Sequence, residues 1–230
     1  MSLIYKFVDT FLMNDFTKII SEIVNKSSKE KLNIFDIGCF QGNFSRNLKE
    51  RIKLKTDFFL FDANPNLSIK DFNYTKLAFS NEKGIKKFYF NTFFPASGSS
   101  LNTIHKKDKL WNLSRKLVTG NLGKQFKTFE VKTDTLDNYC EQNKIDNIDI
   151  LKIDTEGSEL EILEGAKNML KKTNIVLIEI LDKKKKFKKK YENITNILEK
   201  NYNFNKTLEK RIWSLRTLSN MKAVDVLFKK

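Results

Sequence analysis

Residues 33–42, Asn-Ile-Phe-Asp-Ile-Gly-Cys-Phe-Gln-Gly, place an acid and two glycines where an apolar run gives way to a helical pattern. Asn33 to Ile37 reads as a short buried strand, and Phe44, Leu48 and Ile52 recur at the spacing of an amphipathic helix. Gly38 and Gly42 then fall in the connecting loop, where glycine permits positive φ and lets the backbone come close to a ligand. The helix start offers unpaired N–H groups to a carboxylate or phosphate. That is the chemistry of a nucleoside-binding turn, although an ordinary βα turn with a capping Asp would show the same two glycines.

Which nucleoside is suggested by what is missing. A dinucleotide turn needs a middle glycine so that a pyrophosphate can lie on the backbone, and here Phe40 holds that place in an Asp-x-Gly-x-x-x-Gly pattern. Beyond it, Phe58 to Phe61 reads as a second strand ending in Asp62, which would set a carboxylate where both ribose hydroxyls can donate to it. Ribose without pyrophosphate fits S-adenosylmethionine, with its amino-acid end over Gly38, Phe40 and Gly42 and its ribose on Asp62. Asp36 either reaches the ammonium of that cofactor through water or braces the loop, and Ala78 and Phe79 serve either as apolar contacts for adenine or as core.

These residues must be carried by a substantial core, and 230 residues suffice for a single domain over 1–230. No apolar stretch approaches the roughly 20 residues of a membrane span, and Asp9, Asn14 and Asp15 interrupt the amino-terminal apolar residues, so no signal peptide is read there. A cytoplasmic protein is expected. Cys39 and Cys140 have no metal-ligand spacing and are read as reduced thiols. The net charge of +15 invites a nucleic-acid partner. However, only Arg46, Arg51, Arg115, Arg211 and Arg216 among the 43 basic residues are arginine, the residue preferred for phosphate and guanine recognition. Lysine, Asn, Ile and Phe all have A/T-rich codons, so genome composition is the rival explanation, and no nucleic-acid partner is expected.

Residues 1–32 carry a helical cap, striped by Ile4, Phe7, Val8, Phe11, Leu12, Phe16, Ile19, Ile20 and Ile23. Such a helix covers a sheet, or else meets a second copy or a membrane surface. Thr75 to Phe79 reads as a third strand, a turn at Gly84 leads into Ile85 to Phe90 as a hairpin arm, and 91–126 reads as an insertion or lid. Thr128 to Val131 is extended, and a helix from Thr135 to Gln142 is expected to be capped by Thr133 or Asp134. Ile148 to Asp154 is a strand, Leu160 to Leu170 one helix, and Ile175 to Ile180 another buried strand. Tyr202 to Phe204 and Ala223 to Phe228 close the sheet as an antiparallel pair.

The segment Ile150-Leu-Lys-Ile-Asp154-Thr-Glu156-Gly157-Ser-Glu159, with Glu164-Gly165-Ala166 after it, resembles the signature of FkbM-type methyltransferases. Asp36-Ile-Gly38 to Gly42-Asn-Phe-Ser45, Ala78-Phe-Ser80 before Gly84, Ser99-Ser100-Leu101 and Thr135-Leu136-Asp137 match the same order, so the resemblance covers about 33–182. It implies an α/β class I Rossmann-like methyltransferase, a doubly wound and mostly parallel sheet with an antiparallel last strand. Transfer from S-adenosylmethionine to a hydroxyl of a small molecule, sugar or glycan would follow. Two departures stand out: Asp62-Ala-Asn-Pro65 replaces the family's Glu-Pro-Asn-Pro, and Glu179 is followed by Ile180 where many members have His.

Asp154 falls at the carboxyl end of the fourth strand, the edge where open α/β sheets bind ligands. Methyl transfer needs acceptor oxygen, methyl and sulfur in line and a group to take the hydroxyl proton. Asp154 or Glu156 could take it, hold a divalent metal, or merely cap the next helix; His105, the single histidine, is a further candidate base. No metal is counted among the expected cofactors. Alternatives are an RNA 2′-O-methyltransferase and a non-catalytic nucleoside-binding module. An amine-methylating nucleic-acid enzyme would show Asn/Asp-Pro-Pro-aromatic where Asp154-Thr-Glu-Gly157 stands. The run Lys183 to Lys190 is either a solvated helix face or a border of the acceptor site.

Overall fold

A computed structural model describes residues 3–92, 99–102, 126–211 and 220–230. Helix α1 (Leu3–Val24) precedes β1 (Lys31–Ile37), α2 (Asn43–Lys49), β2 (Lys55–Phe61) and the short strands β3 (Asn73–Thr75) and β4 (Ala78–Phe79). Then come β5 (Gly84–Asn91), β6 (Phe126–Asp134), α3 (Leu136–Gln142) and β7 (Ile148–Ile153). The chain continues through α4 (Glu159–Glu164), α5 (Lys167–Lys171), β8 (Thr173–Lys183) and α6 (Lys184–Asn196), and ends with β9 (Asn205–Arg211) and β10 (Met221–Lys229).

Seven strands form the main sheet in the order β3-β2-β1-β7-β8-β10-β9. All pairs from β3 to β8 are parallel, while β10 runs antiparallel to both β8 and β9. Every residue of β7 is buried, which accounts for its near-continuous apolar run: a parallel strand in a doubly wound sheet has both faces covered. One face packs Phe16, Ile20, Phe44 and Leu48 of α1 and α2 onto Ile34, Ile150 and Leu177. The other packs Cys140, Ile162, Leu170 and Phe187 of α3 to α6 onto Phe35, Leu151, Val176 and Val226. Strand order reverses direction between β1 and β7, so the crevice at their carboxyl ends is the topological switch point. This is the sheet of class I methyltransferases.

Several elements differ from expectation. The third strand is divided: β3 pairs with β2, whereas β4 leaves that edge and pairs with Thr133 and Asp134 of β6. The arm is the antiparallel pair β5 and β6, matched from Gly84 with Thr133 to Asn91 with Phe126, so the insertion is an excursion from its far end. Most of that insertion, including His105, lies outside the described residues. The cap of α3 is Thr135, whose hydroxyl accepts from the Asn138 N–H at 3.1 Å, while Asp134 holds the Thr135 N–H and the Asn138 amide. Tyr202 to Phe204 is not a strand. A π turn over Ile197–Asn201 extends α6, the Phe204 N–H bonds to the Leu198 carbonyl, and Phe204 becomes core before β9 begins.

The helix expected from Leu160 to Leu170 is two, broken at Gly165. A Cβ there would stand 2.2 Å from the Ser80 carbonyl oxygen, so the break follows from close backbone approach between this helix pair and the end of β4. Gly165→Ala should therefore destabilise the protein by about 1–3 kcal/mol, the usual cost of forcing atoms into a packed site. Urea unfolding measures it, with Ala at exposed Glu164 as the control.

Candidate functional site

The glycine loop is built on left-handed backbone. Gly38, Phe40 and Gly42 have φ of 74°, 45° and 77°, and the N–H groups of Gly38 and Cys39 both donate to the Phe61 carbonyl, at 2.9 and 3.1 Å. A Cβ on Gly38 would sit 1.9 Å from the Asp154 carbonyl oxygen, so this glycine is required by the adjoining end of β7. Asp62 stands just past β2 and fastens the loop. Its Oδ2 accepts the Phe40 N–H at 2.9 Å and its Oδ1 the Asn64 N–H at 2.8 Å. Burial raises its carboxyl above the usual range, against the pull of those two N–H groups. The loop thus contacts the ends of both β2 and β7.

Behind it lies a buried charge network. Asp36 is fully buried, with one oxygen accepting from the Ser45 hydroxyl at 2.7 Å and the other 3.1 Å from the Lys152 ammonium. The same ammonium is 3.3 Å from Asp154, whose side chain is 30% exposed against 6% for Lys152. Asp36 therefore braces the loop from inside, and Asp154 is the member of the network that reaches the surface. Burial lifts the Cys39 thiol far above its usual range and Cys140 to about 12, so both remain neutral and are not nucleophiles.

The turn after Asp154 is held in an uncommon conformation, with φ of 57° at Glu156 and 127° at Gly157. Glu159, fully buried, accepts the Gly157 N–H at 2.7 Å. Lys190 of α6 donates to the Gly157 carbonyl at 2.9 Å, the Leu181 carbonyl at 3.1 Å and Glu159 at 2.5 Å. From the insertion, the Ser100 hydroxyl bonds the Thr155 carbonyl and the Asn102 amide the Gly157 carbonyl. Glu156 is buried, so Asp154 is the better exposed acid of this turn.

Of the residues singled out in the sequence, Asp36, Gly38, Phe40, Gly42, Asp62 and Asp154 converge at the switch point. Phe79 lies among aromatic rings, with Phe61 at 4.8 Å and Tyr139 at 5.6 Å between centroids, and Ala78 belongs to a small cluster with Phe88 and Val131. Among the described residues no three His, Cys, Asp or Glu side chains gather as metal ligands, and no helix is long and apolar enough to cross a membrane. Sequence reasoning missed Lys152, took Lys190 only as part of the lysine run, and missed Asn102. A lysine inside a fully buried strand was the available signal for the first, and the buried spacing Phe187, Lys190, Ile194 for the second.

Sheet order and switch-point loop together define a class I methyltransferase. Residues 36–205 match the methyltransferase FkbM domain, and the chain belongs to that family. It is 25% identical over 181 residues to the 2-O-methyltransferase NoeI of Sinorhizobium fredii, covering 72% of this chain and 70% of that protein. A solved structure of a protein from Pyrococcus horikoshii proposed to be an RNA methyltransferase aligns with 94% of this chain and 83% of its own, at 11% identity and a TM-score of 0.41. Family membership implies use of S-adenosylmethionine.

The lysine run is thus not uniform: Lys190 is buried against Glu159, whereas Lys185, Lys186 and Lys189 are exposed. Lys190→Met should cost about 3–5 kcal/mol, because it strands a buried carboxylate, while Lys185→Gln should stay within about 0.5 kcal/mol. Denaturant midpoints of the two variants decide this.

Proposed function

We propose that the chain transfers a methyl group from S-adenosylmethionine to a hydroxyl of a small-molecule or glycan acceptor at the carboxyl edge of β1, β2 and β7. The observation that carries this reading is that Asp62, the glycine loop and Asp154, far apart in sequence, meet at one switch point. The residues fit the cofactor. Each Asp62 oxygen receives one backbone N–H, which leaves a lone-pair direction on each for a ribose hydroxyl. Phe40 in place of a middle glycine suits a ligand without pyrophosphate.

When bound, the cofactor supplies an electrophilic methyl on a sulfonium. The chain's part is to orient and to take a proton. The Gly38 to Gly42 backbone receives the amino-acid end and Asp62 accepts from the ribose, while Phe79, packed between Phe61 and Tyr139, is core. Asp154, the partly exposed carboxylate of the network, accepts a hydrogen bond from the acceptor hydroxyl, aligns its oxygen and takes its proton as the oxygen–methyl bond replaces the methyl–sulfur bond and S-adenosylhomocysteine leaves. Transfer to oxygen agrees with Asp154-Thr-Glu-Gly157 at the strand end and with the name of the relative from Sinorhizobium fredii. The scarcity of arginine favours a sugar or small-molecule acceptor over RNA.

Calorimetry tests the cofactor reading. Asp62→Ala should weaken S-adenosylmethionine binding by about 1–3 kcal/mol, the loss of charge-assisted hydrogen bonds. Ribose hydroxyls donate to the ionised carboxylate, so wild-type affinity should fall as pH drops through the raised Asp62 value, and the mutant should lose that dependence. Equal affinity in the mutant, or tighter binding of NAD, sinks the assignment.

For the acceptor side, S-adenosylhomocysteine formation with a panel of mono- and oligosaccharides is the assay. Asp154→Asn should lower turnover by on the order of 10²-fold or more while cofactor affinity stays within a few-fold. A folded mutant with normal turnover refutes the role given to Asp154.

A further inference from the structure

Lys152 takes no step in the reaction above, yet it touches both halves of the site. An interior position of a parallel strand normally holds Val, Ile or Leu, and an ammonium there loses its hydration. Burial works to lower its pKa, but Asp36 and Asp154 outweigh that and raise it, so the group is a permanent cation. One Nζ spans Asp36 at 3.1 Å and Asp154 at 3.3 Å, and it also lies 5.5 Å above the Phe44 ring. Asp36 in turn holds the Ser45 hydroxyl in the first turn of α2, directly after Gly42. A continuous chain of polar contacts therefore runs from Ser45, in the helix turn that follows the cofactor loop, through Asp36 and Lys152 to Asp154.

We propose that Lys152 is a positioning residue for methyl transfer, a buried cation that fixes the acceptor-side carboxylate Asp154 relative to the cofactor loop. In-line displacement tolerates little misplacement: an error of about 1 Å costs on the order of 10²-fold in rate. Asp154 lies just past the last residue of β7, where the ladder no longer constrains its side chain. Lys152, two residues earlier on the same face, supplies the constraint. The Asp154 N–H bond to the Ile37 carbonyl at 2.9 Å holds only the backbone. This inference rests on the hydroxyl-methylation reading above and adds to it the residue that aims the carboxylate.

The test separates aiming from folding and from cofactor binding. Lys152→Met alone strands Asp36, so it is paired with Asp36→Asn, which restores the charge balance and keeps an acceptor for Ser45. That double variant should fold by near-ultraviolet circular dichroism, bind S-adenosylmethionine within a few-fold of wild type, and lose on the order of 10²-fold in kcat with little change in acceptor KM. A kcat within a few-fold of wild type would reduce Lys152 to a structural ion pair, and loss of cofactor affinity in step with kcat would confine it to bracing the loop; either result overturns the proposal. Lys152→Arg keeps the cation and guards against misfolding of the double variant. It should retain more kcat than Asp154→Asn, and an arginine variant no better than Asp154→Asn overturns the proposal as well. A wild-type protein that fails to bind S-adenosylmethionine would instead remove the methyl-transfer reading beneath it.

Discussion

A positive charge inside a parallel sheet dictates what can stand around it. The Lys152 ammonium is buried where only carboxylates can offset its lost hydration, and the register that pairs Asp36 with Lys152 brings one to it. A slip of one residue between β1 and β7 would turn this ammonium toward the opposite face, among Leu151, Ile153 and Val176. The ion pair thus acts as a lock on the register of the two central strands. The face it occupies is apolar at the amino-terminal ends of the strands, with Ile34, Ile150, Ile175 and Leu177, and charged at the carboxyl ends. There Glu179 and Asp225, directly opposed in β8 and β10, are buried at the same level as Asp154. Charge is concentrated at the edge where ligands bind.

Two close backbone approaches complete the frame. Gly38 lets the first loop lie against the Asp154 carbonyl, and Gly165 lets the helices after β7 lie against the end of β4. The turn between them is held by Glu159, Lys190 and Asn102, which between them bond the N–H and carbonyl of Gly157. Such a turn, with a non-glycine residue at positive φ, persists only when its surroundings over-determine it. Here side chains from α4, from α6 and from the insertion do so together.

How much of this was legible follows from what each residue type can signal. The strands β7 and β8 were visible because burial on both faces demands long apolar runs, β1 and β2 because their carboxyl-terminal halves are largely apolar, and Asp62 because it ends one of them. The division between β3 and β4 was not, since Lys76 and Leu77 interrupt the apolar run no more than a strand surface would. The helix break at Gly165 was not legible, because its reason is a carbonyl contributed by a distant segment. The strand expected at Tyr202 was misplaced for a similar cause: aromatic residues there pack against the helix that precedes them, so β character indicated burial, not extension.

The lysines make the sharpest case. In a chain whose basic residues are nearly all lysine, each one taken alone reads as surface, and net charge says little about a partner. Yet Lys152 and Lys190 are buried, each beside a fully buried acid, Asp36 and Glu159, and they flank the segment that carries Asp154. What distinguishes them is position: one lies inside a six-residue buried strand, the other in step with Phe187 and Ile194 on the covered face of α6. Compositional bias adds lysines wherever water can hold them, but it cannot supply a partner in the interior. A buried lysine in such a sequence is therefore informative in proportion to how common its exposed neighbours are, and both of those found here converge on the turn that begins at Asp154.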